Sequence, residues 1–347
     1  GGGGGSAGGG RSGTGGGATG GAGVAGGAGN VGSGGNVGSV GWTCPAASSL
    51  TGSPLPSGAS ATRIAGVPPT DVFNMNMFMT IEGPVWIGDA LYVSELKTGD
   101  LPQARILKIT SNDVVSIFLA DSGSNGLAVN KNGDIVSANQ GVQGIVQIGV
   151  AGQTKTTLVS MYNAKKFNAP NDLAIRSDGT IYFTDPTHQN NGNPQAGTRV
   201  YQLPPGAPAA TVITDYTNNP NGVTLSLDEQ TLFVAGGSGV KKYAITAGGV
   251  AMTGEPFGPP EIQNINTDGM AIDCAGDIYA TVGNNTNVFV VSPTGTKIGM
   301  IPVVGPSAAT NVAFGGSDHK TLYVTGQGSS GQQGVFKVQL NFPGMPY

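Results

Sequence analysis

Residues 171–185 read NDLAIRSDGTIYFTD, and the same pattern recurs five more times along the chain. Each copy opens with a polar residue, usually followed by Gly, and continues as a short apolar strand. A turn rich in Asp, Asn and Gly then leads into a second strand rich in Ile, Leu, Tyr and Val. Such turns between alternating segments are typical of β-hairpins. The six predicted hairpins begin at Glu82, Asn125, Asn171, Asn221, Asp268 and Asn311.

The copies are evenly spaced, with 43, 46, 50, 47 and 43 residues between their first positions. A period of roughly 40 to 50 residues is typical of a four-stranded propeller blade. The rest of each period, as in residues 105–119 and 144–158, supplies two further strands, and no long helical periodicity is present. We therefore predict an all-β, six-bladed β-propeller. The segment around Thr62 to Val67 is expected to add a strand to the last blade and close the ring.

Residues 1–41 differ from the rest, because they are rich in Gly and carry only one charge, Arg11. Such a stretch buries too little apolar surface to offset its ordering entropy. We predict a disordered, flexible spacer of residues 1–41 followed by a propeller domain of residues 42–347. A Gly-rich leader without an initiator Met or signal peptide favours a processed, secreted or cell-envelope protein, periplasmic or lipid-anchored. The sequence does not decide whether the N-terminus carries a lipid.

The composition argues against two classes of binding partner. The net charge is -4 and Lys and Arg never cluster beyond a pair, which argues against nucleic acid and anionic membranes. No run of 18 apolar residues predicts a transmembrane segment. We expect a monomer acting on a small molecule. Cys44 and Cys274 can pair in an oxidising compartment, but two cysteines do not fix a distance, so their pairing stays open.

The first residue of each copy is the most informative one. Equivalent positions in a propeller are related by rotation about its axis, so these six residues should converge at one mouth of the channel. All six are carboxylates or carboxamides, and Ca²⁺ takes six to eight oxygen ligands. Neither His nor Cys, which zinc prefers, occupies these positions. The alternative, that Asn and Asp merely form turns, explains one or two copies better than six. We predict one Ca²⁺, with another divalent cation as the alternative.

Five segments resemble the SMP-30/gluconolactonase/LRE-like family, and the resemblance covers roughly residues 70–343. They are EGPVW from Glu82, APNDLAIRSDGTIYFTDP from Ala169, NPNGVTLS from Asn219, TDGMAID from Thr267 and TNVAFGG from Thr310. The resemblance implies a six-bladed propeller that hydrolyses lactones. It also implies that a catalytic divalent cation binds Glu82, Asn171, Asn221 and Asp268, and that Asp268 acts as base or nucleophile.

The sequence departs from the family pattern at three places. Ser94-Glu95 stands where many relatives have Ser-Asp, the loop after Asp185 reads PTHQNNGNPQ, and no pair of active-site histidines is recognisable. These departures bear on the substrate more than on the metal. His319 falls in a hairpin turn of the last blade, and we expect it to be structural.

Seven further polar residues are predicted to bind substrate or to support the metal ligands. Asp172 follows Asn171 and would orient that ligand or a bound water, although a plain turn Asp is the alternative. Asn139 and Asp185 end second strands, and His188 and Arg199 follow in the longest loop. The full set is Asn125, Asn139, Asp172, Asp185, His188, Arg199 and Asn311.

The leading functional hypothesis is a gluconolactonase-like hydrolase that opens lactones with water activated at the calcium-type site. A phosphotriester or ester hydrolase using the same site is the first alternative. The second is a non-catalytic binding propeller in which the ion only holds the ring together.

Overall fold

The computed structural model describes residues 42–68, 78–97, 103–188, 192, 194–247, 249–283, 285–329 and 331–345. The predicted spacer, residues 1–41, lies outside them. Regular structure in the described part consists of strands and two short 3₁₀ helices, Ala47–Ser49 and Pro260–Ile262. No helix among these residues has the length and apolar character needed to cross a bilayer.

The strands follow one another in the order of the sequence. The first fifteen are β1 (Thr62–Arg63), β2 (Phe78–Ile87), β3 (Ala90–Lys97), β4 (Ala104–Thr110), β5 (Val115–Leu119), β6 (Ser124–Val129), β7 (Ile135–Asn139), β8 (Gly144–Ile148), β9 (Lys155–Val159), β10 (Met161–Tyr162), β11 (Lys165–Lys166), β12 (Leu173–Ile175), β13 (Ile181–Asp185), β14 (Arg199–Leu203) and β15 (Thr211–Asp215). The remaining twelve are β16 (Pro220–Leu225), β17 (Thr231–Gly236), β18 (Val240–Thr246), β19 (Gly249–Val250), β20 (Glu255–Phe257), β21 (Thr267–Ile272), β22 (Ile278–Val282), β23 (Asn287–Val291), β24 (Lys297–Pro302), β25 (Ala308–Gly315), β26 (Thr321–Ser329) and β27 (Gly334–Gln339).

Antiparallel pairing places 24 of the 27 strands of the described residues in six groups of four, while β10 pairs with β11 and β19 pairs with β18. The groups are β2–β5, β6–β9, β12–β15, β16–β18 with β20, β21–β24, and β25–β27 with β1. Each sequence repeat forms the first two strands of one group, as the hairpin pattern predicted. Pairing of β2 with β26 joins the first and last groups into one eight-stranded sheet.

The inner strands of the groups form a closed ring. Each of β2, β6, β12, β16, β21 and β25 contacts the next, and β25 returns to β2. The predicted β-propeller fold is therefore confirmed. Apolar side chains lie between neighbouring groups, where burial from water on both sheet faces stabilises the ring. Between the second and third groups, for example, Phe167 packs edge-to-face on Phe183 and Tyr201, with ring centroids 5.2 and 5.0 Å away.

The two ends of the described chain close the ring together. Strand β1 pairs with β27, with Thr62 opposite Lys337 and Arg63 opposite Phe336. The Arg63 guanidinium donates to the carbonyl of Gln333 at 2.6 Å. This pairing is the closure that the sequence predicted for the segment before the first repeat.

A disulfide joins Cys44 to Cys274, with 5.4 Å between their Cα atoms. It decides the pairing that the sequence left open. The C-terminal segment reaches the same place, because the amide of Cys274 donates to the carbonyl of Pro343 at 2.8 Å. Both ends are thus attached to the hairpin turn of the fifth group.

Candidate active site

A recurring irregularity directs the first residue of each repeat away from its sheet. In five inner strands the register with the second strand shifts at this residue, as between Glu82 and Val85 or between Thr267 and Met270. In the third repeat, regular pairing begins only at Leu173, after Asn171 and Asp172. A bulge bends a strand and re-aims its side chains, often beside an active site. One local device, repeated around the ring, therefore turns these polar side chains toward one another.

Glycines allow the inner strands to approach each other closely. A Cβ on Gly83 would lie 2.3 Å from the carbonyl oxygen of Asn125, and one on Gly222 would lie 2.3 Å from that of Asp268. The amide of Gly126 donates to the carbonyl of Asn171 at 2.7 Å. Only a residue without a side chain fits such contacts. The Gly that follows four of the six polar residues is thus required by the ring.

Hydroxyl groups on the second strands connect neighbouring groups, and the sequence interpretation missed them. Thr184 Oγ1 donates to the carbonyl of Asn221 at 2.6 Å, and Thr281 Oγ1 to that of Thr310 at 2.7 Å. Ser94 Oγ lies 2.7 Å from Ser124 Oγ. These three hydroxyl residues occupy the same position in their repeats, so the alignment of the copies contained the signal. They fix the backbone that carries the converging residues.

Three carboxyl groups from different repeats meet in the channel, namely Glu82, Asp172 and Asp268. Burial raises the pKa of Glu82 to about 8, with repulsion from Asp172 adding to the shift. Burial likewise raises the pKa of Asp172 to about 6. The pKa of Asp268 is raised well above its ordinary value by burial and then by repulsion from the other two. No Lys, Arg or His of the described residues is among the groups that shift these pKa values.

Carboxamides complete this group of side chains, which we call the axial cluster. Asn311 hydrogen-bonds to both Glu82 and Asp172, and Asn221 hydrogen-bonds to Asp268. Asn125 is buried, and its Oδ1 has no hydrogen-bond partner among the described residues. The axial cluster comprises Glu82, Asn125, Asn171, Asp172, Asn221, Asp268 and Asn311. Interactions with the carboxyl groups bring together four of the six first residues, Glu82, Asn221, Asp268 and Asn311, and Asp172 joins them. Asn125 and Asn171 stand at or just before the start of the adjoining inner strands β6 and β12.

The donor chemistry of the axial cluster fits a hard divalent cation. Buried carboxyl groups without a compensating positive charge are costly, and a cation would stabilise their ionised forms. The uncompensated Asn125 Oδ1 adds a neutral oxygen. Within the described residues, no three side chains of His, Cys, Asp and Glu are placed to share one ion. An ion here would therefore also draw on carboxamide oxygens, as the sequence pattern suggested.

Asp185 and Asn139 hold the segments that lead into the axial cluster. The Asp185 carboxylate accepts the amide hydrogens of Asn168 at 3.0 Å and Ala169 at 2.8 Å, and burial raises its pKa to about 7. At the same position of the second repeat, Asn139 Nδ2 donates to the carbonyl of Ser122 at 2.8 Å. Their polar groups bind backbone just before Asn171 and Asn125, so both residues position the cluster.

Two other predicted residues, Arg199 and His188, are not among the groups that shift the pKa values of Glu82, Asp172 and Asp268. Arg199 Nε donates to Asp215 Oδ1 at 2.7 Å, and its charge is therefore already paired. His188 is exposed, and the residues that follow it, 189–191, lie outside the described chain. His319 lies in the turn between β25 and β26 and its ring contacts Trp42, 4.2 Å between centroids, in agreement with a structural role.

The fold and these side chains define a class of protein: a β-propeller in which carboxyl and carboxamide side chains from different repeats meet at the inner strands. The sequence model of the SMP-30/gluconolactonase/LRE-like region matches residues 80–328. The chain belongs to this family, as its motifs predicted.

Three relatives show how close the likeness is. A gluconolactonase from Zymomonas mobilis is 26% identical over 279 residues, which cover 70% of this chain and 75% of that protein. The structure of a gluconolactonase from Xanthomonas campestris is 26% identical, with a TM-score of 0.63, covering 84% of this chain and 98% of the other. Regucalcin from Agrobacterium tumefaciens, described as a calcium-binding protein, shares the fold at 16% identity and a TM-score of 0.63, covering 86% and 98%. The family and the two gluconolactonases confirm the predicted enzyme class, a lactone hydrolase.

Proposed function

We propose that this protein is a metal-dependent lactonase that opens sugar-derived lactones at the axial cluster. The observation that carries the proposal is the convergence of Glu82, Asp172 and Asp268 in one buried site without a compensating cation among the described residues. Membership of the family and the likeness to two gluconolactonases support the reaction class. A purely structural role would not explain why the protein bears the free-energy cost of burying three carboxyl groups together.

Glu82, Asn171, Asn221 and Asp268 would hold the metal, and their oxygen-only chemistry favours Ca²⁺ over softer cations. When bound, a divalent cation supplies Lewis-acid polarisation of the lactone carbonyl and charge that stabilises the carboxylates. Asn221 holds the Asp268 carboxyl group by a hydrogen bond. Asp172 is fixed by the amides of Leu173 at 3.0 Å and Val223 at 3.3 Å. Asp172 therefore maintains the geometry around its neighbour Asn171.

Asp268 is the proposed base. Its carboxylate accepts a proton from the water whose oxygen attacks the carbonyl carbon. The ring C–O bond of the lactone then breaks, and the proton passes to the departing alkoxide oxygen. The product is an open hydroxy acid. Asp268 suits this role because the residue is half-buried, whereas Glu82 and Asp172 are buried, even though its carboxyl group is desolvated enough to raise its pKa.

A substrate panel with and without chelator tests the function. We expect hydrolysis of aldonolactones that is lost in chelator and restored by Ca²⁺. Turnover of phosphotriesters without turnover of lactones would favour the alternative hydrolase. The absence of activity toward every lactone and ester in the panel would favour a non-catalytic binding propeller.

We also propose that the protein works in an oxidising compartment, at the cell envelope or outside the cell. The support is the Cys44–Cys274 disulfide, since such bonds persist outside the reducing cytosol. Alkylation of the protein taken directly from its source cells tests this. Both cysteines should resist the reagent until a reductant is added, and labelling without reductant would contradict the proposal.

A further inference from the structure

A chain of hydrogen bonds crosses the junction between the last and the first groups of strands and ends next to Glu82. Thr325 Oγ1 accepts the amide hydrogen of Asn311 at 3.0 Å. The hydroxyl oxygens of Thr325 and Thr310 lie 2.8 Å apart, and Thr310 Oγ1 donates to the carbonyl of Ile81 at 2.6 Å. Ile81 directly precedes Glu82 in the chain.

The direction of this chain follows from the supply of hydrogens, because each hydroxyl group has only one. The Thr310 hydrogen points to the carbonyl of Ile81. Thr325 therefore gives its hydrogen to Thr310 Oγ1, the nearer of its two acceptors, the other being the carbonyl of Asn311 at 3.2 Å. Thr310 is 1% exposed and Thr325 is fully buried, so water does not replace these bonds.

The hydroxyl of Thr310 connects two inner strands that share no ladder. In the described part of the chain, β25 pairs with β26, whereas β2 pairs with β3 and β26. Strands β25 and β2 nevertheless contact each other, and the bond from Thr310 to Ile81 joins residues 229 positions apart. A side chain, and not strand pairing, thus fixes the last inner strand to the first one beside the axial cluster.

Two adjacent residues of β25 hold Glu82 from two sides. The Thr310 hydroxyl holds the backbone just before it, and the side chain of Asn311 hydrogen-bonds to its carboxyl group. Asn311 Oδ1 accepts the amide hydrogen of Val312 at 2.8 Å, so the carboxamide turns its Nδ2 toward the carboxyl group. A carboxylate that is already held in place loses less freedom when it binds a cation, which strengthens binding.

We propose that Thr310 is a positioning residue for the cation that Glu82 would hold. This inference rests on the proposed function, because it concerns the metal site of the axial cluster. Since the hydroxyl acts across the junction of the last and first groups, ring closure and cation binding favour each other. Thr310 affects the affinity for the cation and not the chemical step, because its hydroxyl is engaged by Ile81 and Thr325.

Calorimetric titration of the full chain with Ca²⁺, after removal of bound metal with chelator, tests the inference. Thr310→Val keeps the shape of the side chain and removes the hydroxyl, so Ca²⁺ affinity should fall about 10- to 100-fold, the usual effect of losing a group that holds a metal ligand. Thr310→Ser keeps a hydroxyl and should bind nearly as the parent does. At saturating Ca²⁺, kcat of Thr310→Val should return to the parental value.

The matched control is Thr321→Val, at the other end of the strand that carries Thr325. The Thr321 hydroxyl is half-buried and donates to Gln339 Oε1 at 3.0 Å, so the variant also loses one hydrogen bond but should keep parental Ca²⁺ affinity. Thr325→Val interrupts the chain one step earlier and should weaken Ca²⁺ binding too. It provides the same test if Thr310→Val does not fold.

A double variant shows whether Thr310 acts through Glu82. In the Glu82→Gln background, Thr310→Val should lower Ca²⁺ affinity by no more than about threefold, because residues that act together are not additive. A full, additive loss in the double variant, or parental Ca²⁺ affinity in Thr310→Val, would overturn the inference while leaving the metal site in place. A parent that binds no Ca²⁺ would overturn the proposed metal site and the inference with it.

Discussion

The carboxyl group of Glu82 raises the pKa of Asp268, although the two residues begin different repeats, the first and the fifth. The two approach each other because bulged inner strands of a closed ring direct them into one channel. Their repulsion in a desolvated site opposes folding when both are ionised. A cation bound between them would convert this repulsion into attraction.

Chelation is therefore expected to lower the melting temperature. An ion that binds only the folded protein stabilises it by about 2.7 kcal/mol at a free concentration 100 times its Kd. Differential scanning calorimetry of the protein in excess Ca²⁺ and in excess chelator measures the difference. A melting curve that is identical in both conditions would show that the axial cluster holds no stabilising ion.

Asp268→Asn should separate catalysis from metal binding. Asn keeps one oxygen and nearly the same volume, but it cannot accept the proton of the attacking water. Turnover of lactone should fall by roughly a hundredfold or more even at saturating Ca²⁺, the usual effect of losing a positioned base. The measurement is kcat across a Ca²⁺ titration.

Glu82→Gln is the matched control for that variant, since it removes the same charge from the same cluster. Glu82 has no assigned role in proton transfer, so added Ca²⁺ should restore most of its activity. If the two variants recover equally, Asp268 is a metal ligand only. In that case another group must accept the proton of the attacking water.

Asp273 should make the protein more stable at mildly acidic pH than at neutral pH. It is fully buried, and burial together with Asp277 raises its pKa to about 7 from an ordinary 3.8. Between these two pH values the folded state keeps a proton on Asp273 that the unfolded state has released. The contribution of Asp273 to the free energy of unfolding is therefore complete below pH 3.8 and is lost as pH rises through 7.

Asp273→Asn provides the comparison, because Asn can still accept the amide hydrogens of Ala275 and Asp277, both 2.9 Å from Oδ1. In urea unfolding, the free energy of unfolding of the parent should fall between pH 4 and pH 8 by about 1 to 4 kcal/mol more than that of the variant. Parallel pH profiles for the two proteins would show that Asp273 is not protonated in the fold.

Loss of the Cys44–Cys274 disulfide should weaken the fold. The bond spans 230 residues of sequence, so it restricts the unfolded chain strongly. Replacing both cysteines by Ala should lower the free energy of unfolding by about 2 to 4 kcal/mol. Denaturant titrations with and without reductant measure this, and the reductant should affect only the parent. A parent that is insensitive to reductant would argue that the bond contributes little.

Much of the axial cluster could be predicted because it repeats. The six copies gave the hairpins, the order of the groups and the residues that converge, since rotation about an axis brings equivalent positions together.

The amino-acid sequence alone determined the propeller and the Gly positions, and it predicted which polar residues open the repeats, because strand periodicity and turn chemistry are local properties. Only the tertiary structure decided which polar groups are satisfied. In the folded chain Cys44 pairs with Cys274, and Asp185 and Asn139 hydrogen-bond to backbone groups of neighbouring segments. Asp172 lies close enough to Glu82 to raise its pKa. These outcomes depend on distances between residues far apart in the chain. Hydrogen bonds and buried charges respond to such distances within a few ångströms, which residue spacing does not specify.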